Sequence, residues 1–359
     1  MDTVKDWEKI KERYTAWWNH EETDRSLIHI TGPTEKKKLL EPVGLPKKNE
    51  GSYFSLDYIT RATEYNHATT FYAGDAFPTW PETQVPVYMS CMLDDVNVDE
   101  DADSLWQKPA LTDEEFIDYQ RVQFNPENKY YKFMIELSKL TLEKAKDKAV
   151  PLVNGYHSIA DVTAAFRGTE QLLYDLYDIP EQVKASEKHF LDLGLKIYQD
   201  IIDIIQQGNM GYTNWVQAWC PGEYSMVQHD FAYMISESMF EEFFYPFLKE
   251  QISHYKYSLH HVDGEGNFKH VPLLCQIEGL TGMQILPGEG KPSPLHYLDT
   301  LRYVQEHGKN LQITLPAREV ETALELLSPK GLLIATTCES EEEAKALLRM
   351  VEKKSLRQR

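Results

Sequence analysis

The sequence predicts one α/β domain over residues 1–359, in which eight strand-helix units close into a (β/α)8 TIM barrel. Three observations predict it. Short apolar runs that end in turn or polar residues recur along the chain, tracts with helical spacing separate the later ones, and 359 residues suit a barrel carrying insertions. No internal repeat or linker marks a second domain. A doubly wound open sheet is the alternative arrangement of the same units.

Residues 1–25 form an N-terminal extension in which Trp7, Ile10, Tyr14 and Trp17 recur at helical spacing, so a helix over 4–20 needs a surface to cover. The expected strands are LIHITG (27–32), YAGDAFP (72–78), VPLVNGYHS (150–158), GYTNWVQAW (211–219), YSLHHVDG (257–264), GMQILPG (282–288), NLQITLP (310–316) and GLLIATTC (331–338). Helical patterns such as PEQVKASEKHFLDLGLKIYQDIIDIIQQ and SEEEAKALLRMVEKK lie between or after them, as parallel crossovers require. Residues 33–71 and 79–149 do not repeat this unit. The first is punctuated by Lys and Pro, and the second carries an acidic run before a helical tract near 113–146. Both read as insertions packed over the barrel mouth, where loops build substrate sites.

Composition narrows the function classes. With 37 basic and 57 acidic residues the net charge is −20, which disfavours nucleic acid and anionic membrane partners because both need clustered Lys and Arg. The first residues are charged and lack an apolar core with a small-residue cleavage site, so no signal peptide is expected. No run of about 18 apolar residues predicts a membrane span. Four cysteines (Cys91, Cys220, Cys275, Cys338) are too sparse for a disulfide framework. A cytoplasmic enzyme or binding protein with a small-molecule substrate is the expectation.

In a barrel the reactive residues stand at the carboxyl ends of strands. His29, inside LIHITG, reads as a core histidine more readily than a ligand. After the third strand come His157, Asp161 and Arg167. Asp161 either caps the following helix or faces the site, and Arg167 either pairs with acidic side chains or holds a substrate carboxylate or phosphate in a bidentate fork. Around the fourth strand, Trp215, Gln217 and Trp219 alternate by two and would share a face. With Tyr224, Gln228, His229 and Asp230 they line a cavity for a flat or apolar ligand, or they build a tryptophan-rich core. Cys220 has no evident activating base. In YSLHHVDG, alternation puts His261 and Asp263 on one face and His260 on the other. The H-x-D spacing fits two metal ligands, a general acid with its partner, or a hydrogen-bonded structural pair. Cys338, ending the last strand, is the candidate thiolate across the mouth, and Gln284 lies on the sixth expected strand.

Several of these stretches carry a family resemblance. DVTAAFRG (161–168), LLYDLYDIPE (172–181), WCPGEY (219–224), QHDFAYMIS (228–236), MFEEFFYP (239–246), HVDGEG (261–266) and MQILPGEG (283–290) occur in an order that resembles the uroporphyrinogen decarboxylase superfamily. Within it, the chain is most similar to the branch of corrinoid-related methyltransferases, including proteins labelled trimethylamine corrinoid proteins. The resemblance runs from about residue 150 to the end and more faintly before it. It implies the same (β/α)8 barrel and a homodimer. Decarboxylases of the superfamily carry an arginine-bearing segment after the first strand, whereas Ile28 to Tyr58 here contains no arginine. Zinc methyltransferases of the superfamily bind metal through an H-x-C pair and a distant cysteine. His261 matches that histidine and Cys338 the distant cysteine, while Asp263 stands where the other cysteine would be. The resemblance thus implies zinc at His261, Asp263 and Cys338, with a hard carboxylate weakening the preference for it.

Three functions follow. The first is methyl transfer between a corrinoid (cobalamin), carried on a partner corrinoid protein, and a small acceptor or donor. In it His261, Asp263 and Asp230 are catalytic, and His157, Asp161, Arg167, Trp215, Trp219, Tyr224, Gln228 and Gln284 bind substrate. The second is a metal-free decarboxylase in which Asp230 or Asp263 handles the proton and Arg167 the carboxylate. The third is a non-catalytic protein that binds a tetrapyrrole or corrinoid.

Overall fold

Aromatic residues at helical spacing need a surface, and α1 (Trp7–Trp18) buries Ile10, Tyr14, Trp17 and Trp18 together. The computed structural model describes residue 4 and residues 6–44, 54–82, 87–100, 105–112, 115–153 and 159–357. β1 (Leu27–Pro33) leads to α2 (Leu56–Thr69), whose first turn is capped by the Tyr58 N–H donating to Ser55 Oγ. β2 (Thr70–Gly74) then returns antiparallel to β1, and β3 (Thr79–Trp80) follows. β4 (Asn97–Glu100) and β5 (Leu105–Lys108) pair as a small antiparallel ladder before α3 (Lys129–Ala145) and β6 (Val150–Pro151).

The second half alternates strand and helix more regularly. α4 (Ile159–Arg167), α5 (Thr169–Asp178) and α6 (Pro180–Gln206) precede β7 (Tyr224–Gln228). α7 (Glu237–Phe243) and α8 (Tyr245–Ser253) lead to β8 (Tyr257–Asp263), and α9 (Val271–Cys275) to β9 (Gly282–Leu286). α10 (Leu298–Glu306), β10 (Asn310–Thr314), α11 (Val320–Leu326), β11 (Leu332–Thr337) and α12 (Glu341–Arg357) complete the chain. α6 opens with Pro180 and Glu181, which suit a helix start, and buries a stripe from Val183 through Phe190 and Ile197 to Ile205.

The central sheet has seven strands in the order β2-β1-β11-β10-β9-β8-β7, parallel throughout except for β2. β3 pairs in parallel with β6, and Leu152 bridges Thr213 in parallel, so the segments at 79, 150 and 213 lie side by side in chain order. Five expected strands, from the first and the last four positions, match β1, β8, β9, β10 and β11. The strand expected over 72–78 does not form as such. Residues 70–74 run antiparallel beside β1, and Gly74 at φ +68° turns the chain out of that ladder before residue 78. The strand expected over 211–219 is also displaced. Only Tyr212 and Thr213 make bridges there, the chain bends at Gln217 (φ +56°), and the ladder resumes at Tyr224. Trp215, Gln217 and Trp219 therefore do not share a strand face.

The two ends of the strands are closed differently. At the amino ends α1 lies across the sheet. The Trp17 indole N–H donates to Gly331 O, just before β11, and Trp18 donates to Trp219 O while its ring packs on Tyr224 and Tyr257. Buried Asp75 accepts from Arg25, from Arg13 of α1 at 3.0 Å and from the Ile28 N–H at 2.9 Å. At the carboxyl ends one face of the sheet opens. Thr31, His261, Asp263, Leu286, Thr314, Ala335 and Thr337 are reachable, whereas Ile30, Val262, Ile285, Ile313 and Thr336 between them are buried. Side chains alternate along a strand, so all the reachable ones share one face.

Candidate active site

Register across the sheet shows which polar side chains meet. Gln228 pairs with His261, His261 with Gln284, and Gln284 with Gln312, giving a row of four polar residues on adjacent parallel strands β7 to β10. Residues paired in a parallel ladder point to the same side, here the open one. His260, one position earlier, goes to the opposite face, where its Nε2 lies 3.3 Å from His229 Nδ1 and the two rings stack. The split of the adjacent histidines expected from alternation is therefore present.

His261 sits beside Gln284, with Nδ1 2.6 Å from Gln284 Oε1. An amide oxygen only accepts, so Nδ1 carries the proton and Nε2 is left facing Asp263 Oδ2 at 3.8 Å. Burial by itself would lower the pKa of His261. Asp263 and Gln284, and the charge of Asp230, outweigh it and hold the imidazole above its ordinary value. Asp263 is held below the usual carboxylate range by His261 and, less, by the Gly264 N–H. The edge of the Trp215 ring meets His261 at 6.0 Å.

Asp230 begins a 3-10 turn, Asp230–Met234, directly after β7. Asp230 is exposed at the surface, although protein atoms crowd its carboxyl from the inner side. Burial first, then the nearby charges of Asp161 and Asp263, push its pKa up to about 7 against the opposing pull of His261. Gln228 donates to it at 3.3 Å. An aspartic acid that exchanges its proton near neutrality, next to an imidazole with a raised pKa, can move a proton to or from a bound molecule.

Other expected residues take different places. Asp161, on the first turn of α4, accepts the backbone N–H groups of Asp230 and Phe231 at 3.1 and 2.8 Å, so it pins the turn that carries Asp230. Arg167 is buried and grips Asp175 through Nε and Nη2, which occupies the fork expected for substrate. Trp219 and Tyr224 stand at the amino ends, against Trp7 and Trp18 respectively, and do not approach the open face. His157 lies outside the described residues. Cys338 is buried after β11, and its thiol is pushed up to about 11 by burial and by Glu343 and Glu339.

Among the described residues no group of three or more His, Cys, Asp or Glu side chains is placed to hold a metal ion. The expected set of His261, Asp263 and Cys338 is thus not assembled. The bond from Nδ1 to Gln284 leaves His261 Nε2 as the nitrogen open to a ligand.

Two rings at the mouth escaped sequence reasoning. Tyr88, in the irregular insertion, has its hydroxyl pKa raised by burial and by Asp230, which places it with the acidic cluster. Tyr233 lies half-exposed with its ring against Gly264 and Gly266. A Cβ on either glycine would come within 2.9 or 2.5 Å of that ring, so the G-E-G after Asp263 makes room for it. Neither tyrosine belongs to a periodic pattern, and only spatial proximity reveals them.

No protein-family model matches the chain, and no curated protein matches its sequence. Among solved structures, a methyltransferase from Methanosarcina mazei is similar with a TM-score of 0.61 over 96% of this chain and 98% of that one, at 13% identity. The chain therefore has a methyltransferase-like fold. No helix among the described residues is long and apolar enough to cross a membrane.

Proposed function

We propose that this chain is a methyltransferase-like enzyme of the uroporphyrinogen decarboxylase superfamily, built on a (β/α)8 barrel. It moves a methyl group between a corrinoid on a partner protein and a small molecule held at the carboxyl ends of the strands. The observation that carries the reading is the mutual charge influence of Asp230, on the turn after β7, and His261, on the open face of β8, in a fold that covers nearly the whole of a methyltransferase.

The corrinoid supplies the centre that takes or gives the methyl group. The residues of this chain bind and handle protons. When the methyl leaves a heteroatom, the bonding pair stays on that atom, and Asp230 in its acid form delivers the proton that neutralises it. Methylation in the reverse sense returns the proton to Asp230. His261, with Nδ1 fixed by Gln284, presents Nε2 to the same molecule, and Trp215 limits water on one side. No metal step is included, because the three expected donors are not gathered into one set among the described residues.

The decarboxylase reading uses the same acid, since a proton from Asp230 would complete carbanion quenching. It needs a cation to hold the leaving carboxylate, and Arg167, assigned that task from sequence, is spent on Asp175. Methyl transfer is therefore preferred. The test mixes the purified chain with cob(I)alamin and panels of methylated amines, ethers and thioethers, and follows methylcobalamin by its absorbance. Asp230→Asn should lower the rate about a hundredfold. Release of CO2 from carboxylic acids, with no methylcobalamin from any panel member, would transfer the assignment to the decarboxylase.

A further inference from the structure

His29 is 5% exposed, and neither of its ring nitrogens has a hydrogen-bond partner among the described residues. Its place in the sheet decides which way it faces. His29 pairs with Ala335, and Ala335 with Thr314. Two residues earlier on the same strands, Leu27 pairs with Leu333 and Leu333 with Gln312, which continues through Gln284 to His261. His29 therefore faces the side that carries the acid-base pair, one layer nearer the carboxyl ends than Gln312. Ala335 and Thr314, its neighbours in that layer, are both reachable from outside, so the layer borders the open part of the face.

Gln312 adds a second unspent group. It is 1% exposed, and its Oε1 has no partner among the described residues. Leaving a buried polar atom unpaired costs about 1–3 kcal/mol, so native structures do so rarely and usually where something else supplies the bond. Three such atoms on one face of one sheet form a pattern that apolar packing does not explain. Phe77 meets His29 edge-on at 5.8 Å and offers it no hydrogen bond.

The character of the missing partner can be read from charge. Burial pushes the His29 imidazole down to about 4, and the charges of Glu82 and Asp75 only partly oppose this. At neutral pH the ring is uncharged and offers one N–H and one lone pair, while Gln312 Oε1 asks for a donor. A carboxylate would find no cation here. An ammonium group would satisfy the two acceptors and leave the imidazole N–H unmet.

We propose that His29 and Gln312 form an uncharged hydrogen-bonding subsite on the floor of the open face, which takes a hydroxyl or carboxamide group of the substrate. This rests on the proposed use of that face as the substrate site. The subsite fixes the end of the molecule remote from the reacting heteroatom, and so determines specificity without touching the methyl group.

Direct binding tests it without turnover. Full-length protein labelled with 13C and 15N in histidine is titrated with acetamide or ethylene glycol, with acetate and methylammonium as charged controls. The His29 ring signals are assigned by their loss in His29→Phe. Acetamide and ethylene glycol should shift those signals saturably, and Gln312→Leu should weaken the binding about tenfold or more. Both variants should melt no lower than the parent, because each removes an unpaired buried group. Asp230→Asn should bind acetamide as the parent does, so a failed methyl-transfer assay leaves the subsite standing. The subsite is refuted if the His29 signals stay still, if acetate or methylammonium shifts them as strongly, or if Gln312→Leu binds unchanged. Should His29→Phe not fold, His29→Gln replaces it, and retained acetamide binding with ethylene glycol excluded would also refute the shared subsite.

Discussion

The amino and carboxyl ends of the strands contrast in what their polar groups are doing. At the amino ends the indoles of Trp17 and Trp18 are spent on backbone carbonyls, and Asp75 is surrounded by Arg13, Arg25 and a backbone amide. At the carboxyl ends, carboxyl and imidazole groups hold shifted pKa values, and on the same face His29 and Gln312 keep bonding capacity unused. The difference teaches that one end of the sheet supplies stability and the other can carry chemistry, the division expected where strands run parallel and loops gather at their carboxyl ends.

The contrast is broken most severely by emptying the plug. Trp18→Ala removes a fully buried ring that touches Tyr224 and Tyr257, and should cost about 3–5 kcal/mol in urea unfolding. A loss under about 1 kcal/mol would mean that α1 is an ornament on the sheet. Next in size are the adjacent histidines. His261→Phe should lower the rate of the assigned reaction roughly a hundredfold with little change in melting temperature. His260→Phe should leave the rate alone and act, if at all, on stability. Equal effects on rate would show that strand alternation does not separate the two functions.

Acid should loosen the layer behind the sheet. His229 is pushed down to about 4, and His260 and His270 are also lowered, each chiefly by burial. A histidine whose folded pKa is depressed binds its proton more readily unfolded, so stability falls as pH drops from about 6.5 towards 4. His29 adds to the same slope. Unfolding between pH 6 and 4 should take up more than one proton per molecule, measured from the pH dependence of the urea midpoint. A flat midpoint across that window would show these imidazoles to be already solvated.

Much of the carboxyl-terminal half was legible because two signals agreed there. In YSLHHVDG, apolar residues and period-two alternation fix both the strand and the directions of His260, His261 and Asp263. The same agreement holds for 282–286, 310–314 and 332–337. The earlier half gave weaker signals. Runs such as TNWVQAW are apolar enough for a strand, but Gln217 adopts a positive φ, and Trp219 goes to α1 rather than to the site. Arg167 and Asp161 were found as chemistry-bearing residues, yet their partners, Asp175 and the 230–231 backbone, are fixed by tertiary packing that no local pattern records. His29 was read as core because burial and unmet hydrogen bonding look alike in a sequence.

The smallest expected effect lies one layer out from Asp161. Glu187 on α6 is fully buried, accepts from Thr163 of α4, and has no partner at Oε2 among the described residues. Burial, opposed by the Thr163 bond and assisted by the charge of Asp161, pushes its pKa up to about 8, so it is an acid at neutral pH. Its folded pKa is raised, which means that the stability it contributes is complete below the unfolded value near 4.3 and is lost as pH rises through 8. Glu187→Gln keeps the shape and the bond from Thr163 but cannot ionise. Relative to the parent it should gain at least about 1 kcal/mol between pH 5 and pH 9, because only the parent loses stability over that range, while the unpaired amide hydrogens of the glutamine cost the same at both pH values. The measurement is urea unfolding of both proteins at the two pH values. A gap that does not change with pH would place an ionised Glu187 in the native state, and the buried support behind Asp161 would then be a charged one.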